Sequence, residues 1–266
     1  MDIRTLRDDD FEAVFTAFNR AFSDYIVPLT LQREQLREMM VRRGYRPEAS
    51  AAAFDGESIV AFVLNGLDRD RAYNTGTGVI PGSRRRGLSR EILEMTMPVL
   101  REMGAATYLL EVLETNTPAF RLYETSGFRE TRRLQCWSLP FEERAAALPR
   151  QREVLWDQWS GWWEFEPSWQ NASASIERAR EPFVAIGNES GYAIVFPAAA
   201  DLAQLAVAPA SRRNGIGRQL LNAASALARR PLRILNIDDR HHGIAAFLQS
   251  VGATRSVRQI EMAREI

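Results

Sequence analysis

An internal repeat constrains this chain more than any other feature. TGVIPGSRRRGLSREIL, residues 77–93, lines up with LAVAPASRRNGIGRQLL, residues 205–221. YLLEVLETNTPAFRLYETSGF, residues 108–128, lines up with RILNIDDRHHGIAAFLQSVGA, residues 233–253. Solenoid units are about 20–50 residues long, so a repeat of this length marks duplicated domains instead. At roughly 150 residues per domain, a chain of 266 is the right length for two. The segment LPFEERAAALPRQREV, with prolines near both ends and many charges, reads as the connection. The expected division is a first domain over 1–138, a linker over 139–153 and a second domain over 154–266.

Periodicity predicts the elements. A short strand over Ile3–Arg7 precedes the acidic cluster Asp8, Asp9 and Asp10. A helix then places Phe11, Val14, Phe15, Phe18 and Phe22 at three- and four-residue spacing. A second helix is expected over Leu31–Arg43. Strands follow over Ala51–Phe54, Ile59–Leu64 and Ala72–Ile80, broken by DGE and by Asn65-Gly66, which reads as a turn. A helix over Gly87–Met103, the strand TYLLEVL, a helix over Thr117–Ser126 and a strand to Trp137 complete the half. The second half predicts a helix over Ser173–Arg180 and strands over Phe183–Ile186, Tyr192–Phe196 and Leu202–Val207. It continues with a helix over Gly215–Arg229, the strand LRILNID, a short helix near Ile244–Gln249 and a last strand. Both halves are therefore mixed α/β layers.

Scarce residues narrow the chemistry. One cysteine, Cys136, excludes an intramolecular disulfide and a cysteine zinc site, and it reads as a small buried hydrophobe. The two histidines, His241 and His242, are adjacent, so they do not form a spaced helical metal motif, and no metal site is expected. All 34 basic residues are arginine, and 34 acidic residues balance them. That balance argues against nucleic-acid binding, which draws on a basic excess. The opening MDIRTLRDDDF lacks a signal-peptide apolar run, and no apolar stretch reaches about 18 residues. A cytoplasmic location without a membrane partner is the expectation.

The repeated strand–loop–helix carries the functional signal. Arg84-Arg85-Arg86-Gly87-Leu88-Ser89 and Arg212-Arg213-Asn214-Gly215-Ile216-Gly217 each follow an apolar strand and open a helix. Such a loop converges backbone N–H groups on an anion, the helix N-terminus adds a favourable dipole, and arginine adds forked hydrogen bonds. Neither a Walker loop nor a dinucleotide fingerprint is present. The pattern V-x-P-x-x-R-x-x-G-x-G/A, then strand, Asn, and Tyr before Gly-Phe, resembles the GNAT N-acetyltransferases. Both halves match, as two GNAT domains in tandem, each a mixed, mostly antiparallel sheet flanked by helices.

The resemblance implies acetyl-CoA as acyl donor, its pyrophosphate on the loop. It also implies that the preceding strand pairs with the pantetheine arm, which is Thr77-Gly78-Val79 in one half and Leu205-Ala206-Val207 in the other. Asn116 matches the family's CoA-contacting asparagine, and Tyr123 matches its general acid. Glu111 matches the base of ribosomal-protein N-terminal acetyltransferases, with Glu114 a second carboxylate within reach. Amide formation from a thioester needs these roles, because an amine of pKa about 10.4 is almost wholly protonated at pH 7 and the leaving thiolate wants a proton. The second half has Asn236, His241 and Leu248 at the three positions, and leucine donates no proton.

The expected activity is therefore N-acetyl transfer to a primary amine of a small molecule or peptide, by direct attack in a ternary complex, in the first domain. A non-catalytic acyl-CoA-binding or interaction protein, or catalysis in the C-terminal domain, are the alternatives. Asp24 and Tyr25 occupy the place where this family builds its acceptor pocket. Trp156, Trp159, Trp162, Trp163 and Trp169 read as packing between the domains, with an aromatic wall for the acceptor as the functional alternative.

Overall fold

The computed structural model describes residues 1–25, 29–142 and 151–266. It divides into two compact units. One contains Met1–Val112, Asn116–Thr131 and Glu261–Ile266, and the other contains Leu113–Thr115 and Arg132–Ile260. Residues 143–150 of the expected linker lie outside the described residues.

The first unit begins with β1 (Asp2–Thr5), α1 (Phe11–Ala21) and α2 (Arg33–Arg42). It continues with β2 (Ala51–Asp55), β3 (Ser58–Asp68), β4 (Arg71–Val79), α3 (Leu88–Glu102), β5 (Thr107–Leu113), α4 (Thr117–Thr125) and the start of β6 (Arg129–Leu139). The acidic cluster forms a tight turn in which Asp10 accepts from the Arg7 amide at 2.8 Å and from Arg4, and α1 follows at Phe11. Its three- and four-residue spacing buries Val14, Ala17, Phe18 and Ala21 against Phe62 and Leu64. Strands β1 to β4 pair antiparallel in sequence order, whereas β4 and β5 are parallel.

The Asn65-Gly66 pair is not a turn: β3 runs straight through it. Asn65 is fully buried, with its amide nitrogen donating to the Ala49 carbonyl at 2.7 Å. Gly66 permits a close backbone approach, since a Cβ there would stand 2.0 Å from the Arg43 carbonyl oxygen. Turn chemistry in the sequence was thus serving packing inside a strand.

The second unit contains α5 (Trp156–Ser160), α6 (Ser173–Arg178), β7 (Val184–Asn188), β8 (Gly191–Phe196) and β9 (Asp201–Val207). After these come α7 (Ile216–Ala228), β10 (Leu232–Asp238), α8 (His242–Ser250) and most of β11 (Thr254–Glu265). β7, β8 and β9 are antiparallel neighbours, β9 and β10 are parallel, and β10 pairs antiparallel with β6 from Leu232↔Leu139 to Asp238↔Leu134. Its core gathers Trp137, Leu139, Leu220, Leu221 and Ile234.

The last strand of each half crosses the sequence boundary. Most of β6 is grouped with the second unit, while the end of β11 is grouped with the first. In the first unit Ile266 donates its amide to Ala106, and the Thr131 hydroxyl donates to the Glu261 carbonyl. In the second, the Ser256 hydroxyl donates to the Cys136 carbonyl. Cys136 is 1% exposed.

The tryptophan segment packs within its own unit. The Trp159 ring lies flat on Tyr192, with centroids 3.9 Å apart at 8°, and Trp169 is buried nearby. The helix α5 inside this segment carries no periodic signal strong enough to read from the sequence.

Candidate active site

The two loops fold alike. Arg85 and Gly87 have φ of 62° and 80°, and Arg213 and Gly215 have 66° and 79°. Left-handed residues spaced in this way turn successive N–H groups toward one point, at the start of a 15-residue helix in one copy and a 13-residue helix in the other. Added Cβ atoms at Gly87 and Gly215 would meet nothing within 4 Å, so glycine is required for φ rather than for space. Arg85, Arg86 and Gly87 are exposed, as are Arg213, Asn214 and Gly215, while Leu88 is buried beneath the loop. Ser89 and Gly217 occupy matching first-turn positions, and Ile216 opens α7.

The leading arginine of each loop points inward. The Arg84 Nε donates to the Val79 carbonyl at 3.2 Å, and its fork grips both oxygens of Asp24 at 2.7 and 2.6 Å as well as the Ala21 carbonyl. Arg212 repeats the device: its Nε donates to Val207 at 3.2 Å, and its fork reaches the Trp162 carbonyl and Glu164. The Arg84 hydrogen bond holds the Asp24 carboxyl below the usual carboxylate range. Asp24 therefore anchors the loop through Arg84.

Beyond each loop the sheet splays. The parallel ladder of β4 with β5 spans only Arg71–Tyr73 beside Thr107–Leu109, and β4 then continues to Val79. The bulge responsible is Thr75, between Leu64↔Gly76 and Asn65↔Asn74. In the second unit the ladder of β9 with β10 spans Asp201–Leu202, with Ala203 as the matching bulge. Backbone past each bulge is the surface that the resemblance assigns to the pantetheine arm: Thr77, Gly78 and Val79, or Leu205, Ala206 and Val207. Gly78 belongs there for steric reasons, because a Cβ would stand 2.4 Å from the Phe62 ring and 2.9 Å from Ala21.

Tyr123 sits against this splay, 7% exposed, with its ring 5.8 Å from that of Phe128. Burial pushes its phenol up to about 12, opposed by a hydrogen bond with the Thr77 side chain and assisted by Tyr25. Behind Thr77 runs a buried polar array. The Asn74 amide nitrogen is 2.8 Å from Thr77 Oγ1 and 3.2 Å from Tyr108 Oη, and Tyr108 donates to Asn65 Oδ1 at 2.5 Å. Asn116 caps α4 by accepting from the Ala119 amide at 3.3 Å, and its Nδ2 donates to the Tyr25 hydroxyl at 3.4 Å. Tyr25, Asn116, Thr77 and Tyr123 thus form one cluster. Sequence reasoning missed Asn65, Asn74 and Tyr108. Their signal was the polar residues inside apolar strands.

Glu111 is half-buried on β5 and accepts a hydrogen bond from Tyr73, whose phenol is pushed up by burial and by the Glu111 charge. Glu114 is grouped with the second unit, where Arg133 and Arg258 pair with it at 3.1 and 3.5 Å.

The second unit holds a cavity of about 840 Å³ lined by Ser211, Arg212, Arg213 and Gly215 to Gly217 of the loop, by Leu205 to Val207, and by Trp162, Trp163, Phe247 and Leu248. Its polar floor is a chain in which Trp163 donates to the Tyr192 hydroxyl at 2.7 Å and Tyr192 donates to Gln204 at 2.6 Å. Gln204 in turn donates to the Asn171 carbonyl at 2.7 Å. Asn236 is 1% exposed and donates to Ser168 at 3.0 Å. His241 makes no side-chain cap and lies 5.4 Å from the Phe165 ring. Both loops present left-handed backbone at a helix start, the geometry that receives an anion, and the second opens into this cavity. Among the described residues no cluster of three His, Cys, Asp or Glu is placed to hold a metal, and no helix is long and apolar enough to cross a membrane.

Comparison with known proteins agrees with this geometry. The acetyltransferase (GNAT) family model matches residues 8–128, and a second acetyltransferase (GNAT) domain model matches residues 178–252. The chain is 38% identical over 72 residues to the ribosomal protein bS18-alanine N-acetyltransferase of Escherichia coli K12, covering 27% of this chain and 49% of that protein. It spans about half the length of the first curated relatives it matches. A GCN5-related N-acetyltransferase from Sphaerobacter thermophilus has the same fold, with TM-score 0.74 and 17% identity over 99% of this chain and 95% of that one. A tandem GNAT protein of the clavulanic acid biosynthesis pathway superposes with TM-score 0.64 and 16% identity over 99% and 98% of the two chains. With a family model on each half and one strand–loop–helix built twice, the chain belongs to the GNAT acetyltransferase family, with two GNAT domains in tandem.

Proposed function

We propose that the first unit moves an acetyl group from acetyl-CoA to a primary amine of a small molecule or peptide, with Tyr123 as acid and Glu111 as base. The observation that carries this reading is the cluster of Tyr123, Thr77, Asn116 and Tyr25 at the splay of β4 and β5. Acetyl-CoA supplies an acyl carbon bonded to sulfur. Arg85, Arg86, Gly87, Leu88 and Ser89 form the cradle for its pyrophosphate, with Arg84 and Asp24 holding the loop in shape. Thr77, Gly78 and Val79 offer backbone to its arm, and Asn116 orders the start of α4 beside it.

Glu111 takes the proton that the amine must lose. Its neighbour Tyr73 donates to it and so keeps it oriented. Tyr123 gives its proton to the leaving sulfur. At a pKa of about 12 it stays protonated throughout the working pH range. Tyr25 and Asp24 flank the acceptor side, and the hydrogen bond from Asn116 fixes the Tyr25 ring.

The second unit binds an acyl-CoA without transferring its acyl group. The 840 Å³ cavity lined by Arg213, Gly215, Ile216 and Gly217 supports binding, with Asn214 in the same loop and Arg212 bracing it. Leu248 at the acid position argues against turnover there. Thiol release from acetyl-CoA with a panel of amines and peptides tests the whole reading. Turnover that survives Tyr123→Phe at the wild-type rate would overturn the assignment of the acid.

A further inference from the structure

We infer that Asn65, Tyr108, Asn74 and Thr77 are positioning residues that receive the charge Tyr123 leaves behind when it gives up its proton. The inference rests on the reading of Tyr123 as acid. The array's direction is set at the far end. The Asn65 Nδ2 donates to Ala49, so Oδ1 faces Tyr108 and accepts its proton at 2.5 Å. The Tyr108 oxygen then accepts, and the donor is the Asn74 amide nitrogen at 3.2 Å. The same nitrogen stands 2.8 Å from Thr77 Oγ1. The Thr77 hydroxyl faces the Asn74 amide on one side and the Tyr123 phenol on the other.

Thr77 also lies 3.1 Å from Asn74 Oδ1, so its proton has two acceptors. Negative charge on Tyr123 decides between them, because a hydrogen bond to an anion is the stronger one. In the transfer step the Tyr123 O–H bond breaks and its electron pair stays on oxygen. The proton goes to sulfur as the carbon–sulfur bond breaks and the carbon–nitrogen bond forms. Glu111 takes the nitrogen proton, and exchange with water resets both side chains. The titratable groups facing the phenol are Tyr25, from the loop after α1, and Tyr108, from β5.

The second copy supplies the control. Aligned through the matching bulges and helices, Asn65, Asn74, Thr77, Tyr108 and Tyr123 become Val195, Leu202, Leu205, Arg233 and Leu248. Where the acid is missing, every member of the array is missing as well. Four of the five positions carry aliphatic side chains there and the fifth an arginine, so neither the hydroxyls nor the amides of the array recur.

The test places a monofluorinated tyrosine at position 123 of the full chain and follows its titration by fluorine NMR without substrate. Thr77→Val should make it titrate about one to two pH units higher, the size of one lost hydrogen bond to an anion. Thr77→Ser should restore the wild-type value, and Tyr108→Phe should move it the same way by less. With the natural tyrosine, Thr77→Val should lower kcat about tenfold or more while the KM for acetyl-CoA changes less than about threefold. A titration unmoved by both Thr77→Val and Tyr108→Phe overturns the inference. Should Tyr123→Phe keep wild-type turnover, the acid reading fails on its own, and the fluorine titration still decides the array. If Thr77→Val does not fold, Tyr108→Phe carries the same titration alone.

Discussion

The two units share a loop to within a few degrees of backbone angle, yet what lies behind that loop differs. In the first unit the strand after the bulge backs onto Thr77, Asn74 and Tyr108, and the facing helix supplies Tyr123. In the second the corresponding side chains are Leu205, Leu202, Arg233 and Leu248. The loop depends on backbone conformation, which two left-handed residues and a helix start are enough to specify. A proton donor needs a buried hydroxyl with satisfied neighbours, and each neighbour must have its own partner. The first requirement is met in both units, the second in the first unit alone. The units therefore share the loop and differ in the side chains behind it.

The sharpest way to break this contrast is Tyr123→Phe, which should lower kcat about 10²–10³-fold in a thiol-release assay while leaving the KM for acetyl-CoA nearly unchanged. Next in size is Gly78→Ala. Its Cβ would push against Phe62 and Ala21, and thermal unfolding should report a loss of about 1–3 kcal/mol. The second copy carries Ala206 at this place, opposite Tyr192 rather than Phe62. Gly76→Ala, with 3.6 Å to Phe18, serves as the tolerated neighbour and should cost less. Gly215→Ala keeps the cavity but forces alanine to φ of 79°, a strain of about 1 kcal/mol, so calorimetry should show CoA binding several-fold weaker.

The two smallest effects are expected nulls. Leu248→Tyr should confer no turnover on the second unit, because its neighbours Leu205 and Leu202 offer the new hydroxyl no partner; thiol release in a Tyr123→Phe background measures this. The pH–rate profile should show no descending limb from Tyr123 below about pH 11. The working form is protonated and the pKa is raised to about 12, so activity is lost only as pH rises through that value. A limb near pH 9 would place the acid elsewhere.

Much of the fold was legible because repetition made every periodic element visible twice. The loops, the helices after them and the strands of the splay all read from apolar spacing. Asn65-Gly66 misled because turn composition and close backbone packing use the same residues, and only the Arg43 carbonyl above Gly66 distinguishes them. Tyr123, Asn116 and Glu111 are legible through the GNAT resemblance, but their partners are not. Asn74 and Tyr108 lie 34 positions apart and meet only because β4 and β5 are parallel neighbours. Thr77 was read as backbone for the donor arm, and its hydroxyl gained a role only once Tyr123 was seen beside it. The two arginine–carboxylate braces were hidden similarly, since Arg84 and Asp24 are 60 residues apart.

The crossing of the last strands links the fates of the two copies. The first unit is completed by Glu261–Ile266, encoded after the body of the second half, and the second by residues of β6, encoded in the first half. A frameshift or stop anywhere in the second half therefore also strips the first unit of its final residues. Neither unit can therefore be cut from the chain at the sequence boundary without losing strand residues grouped with the other half.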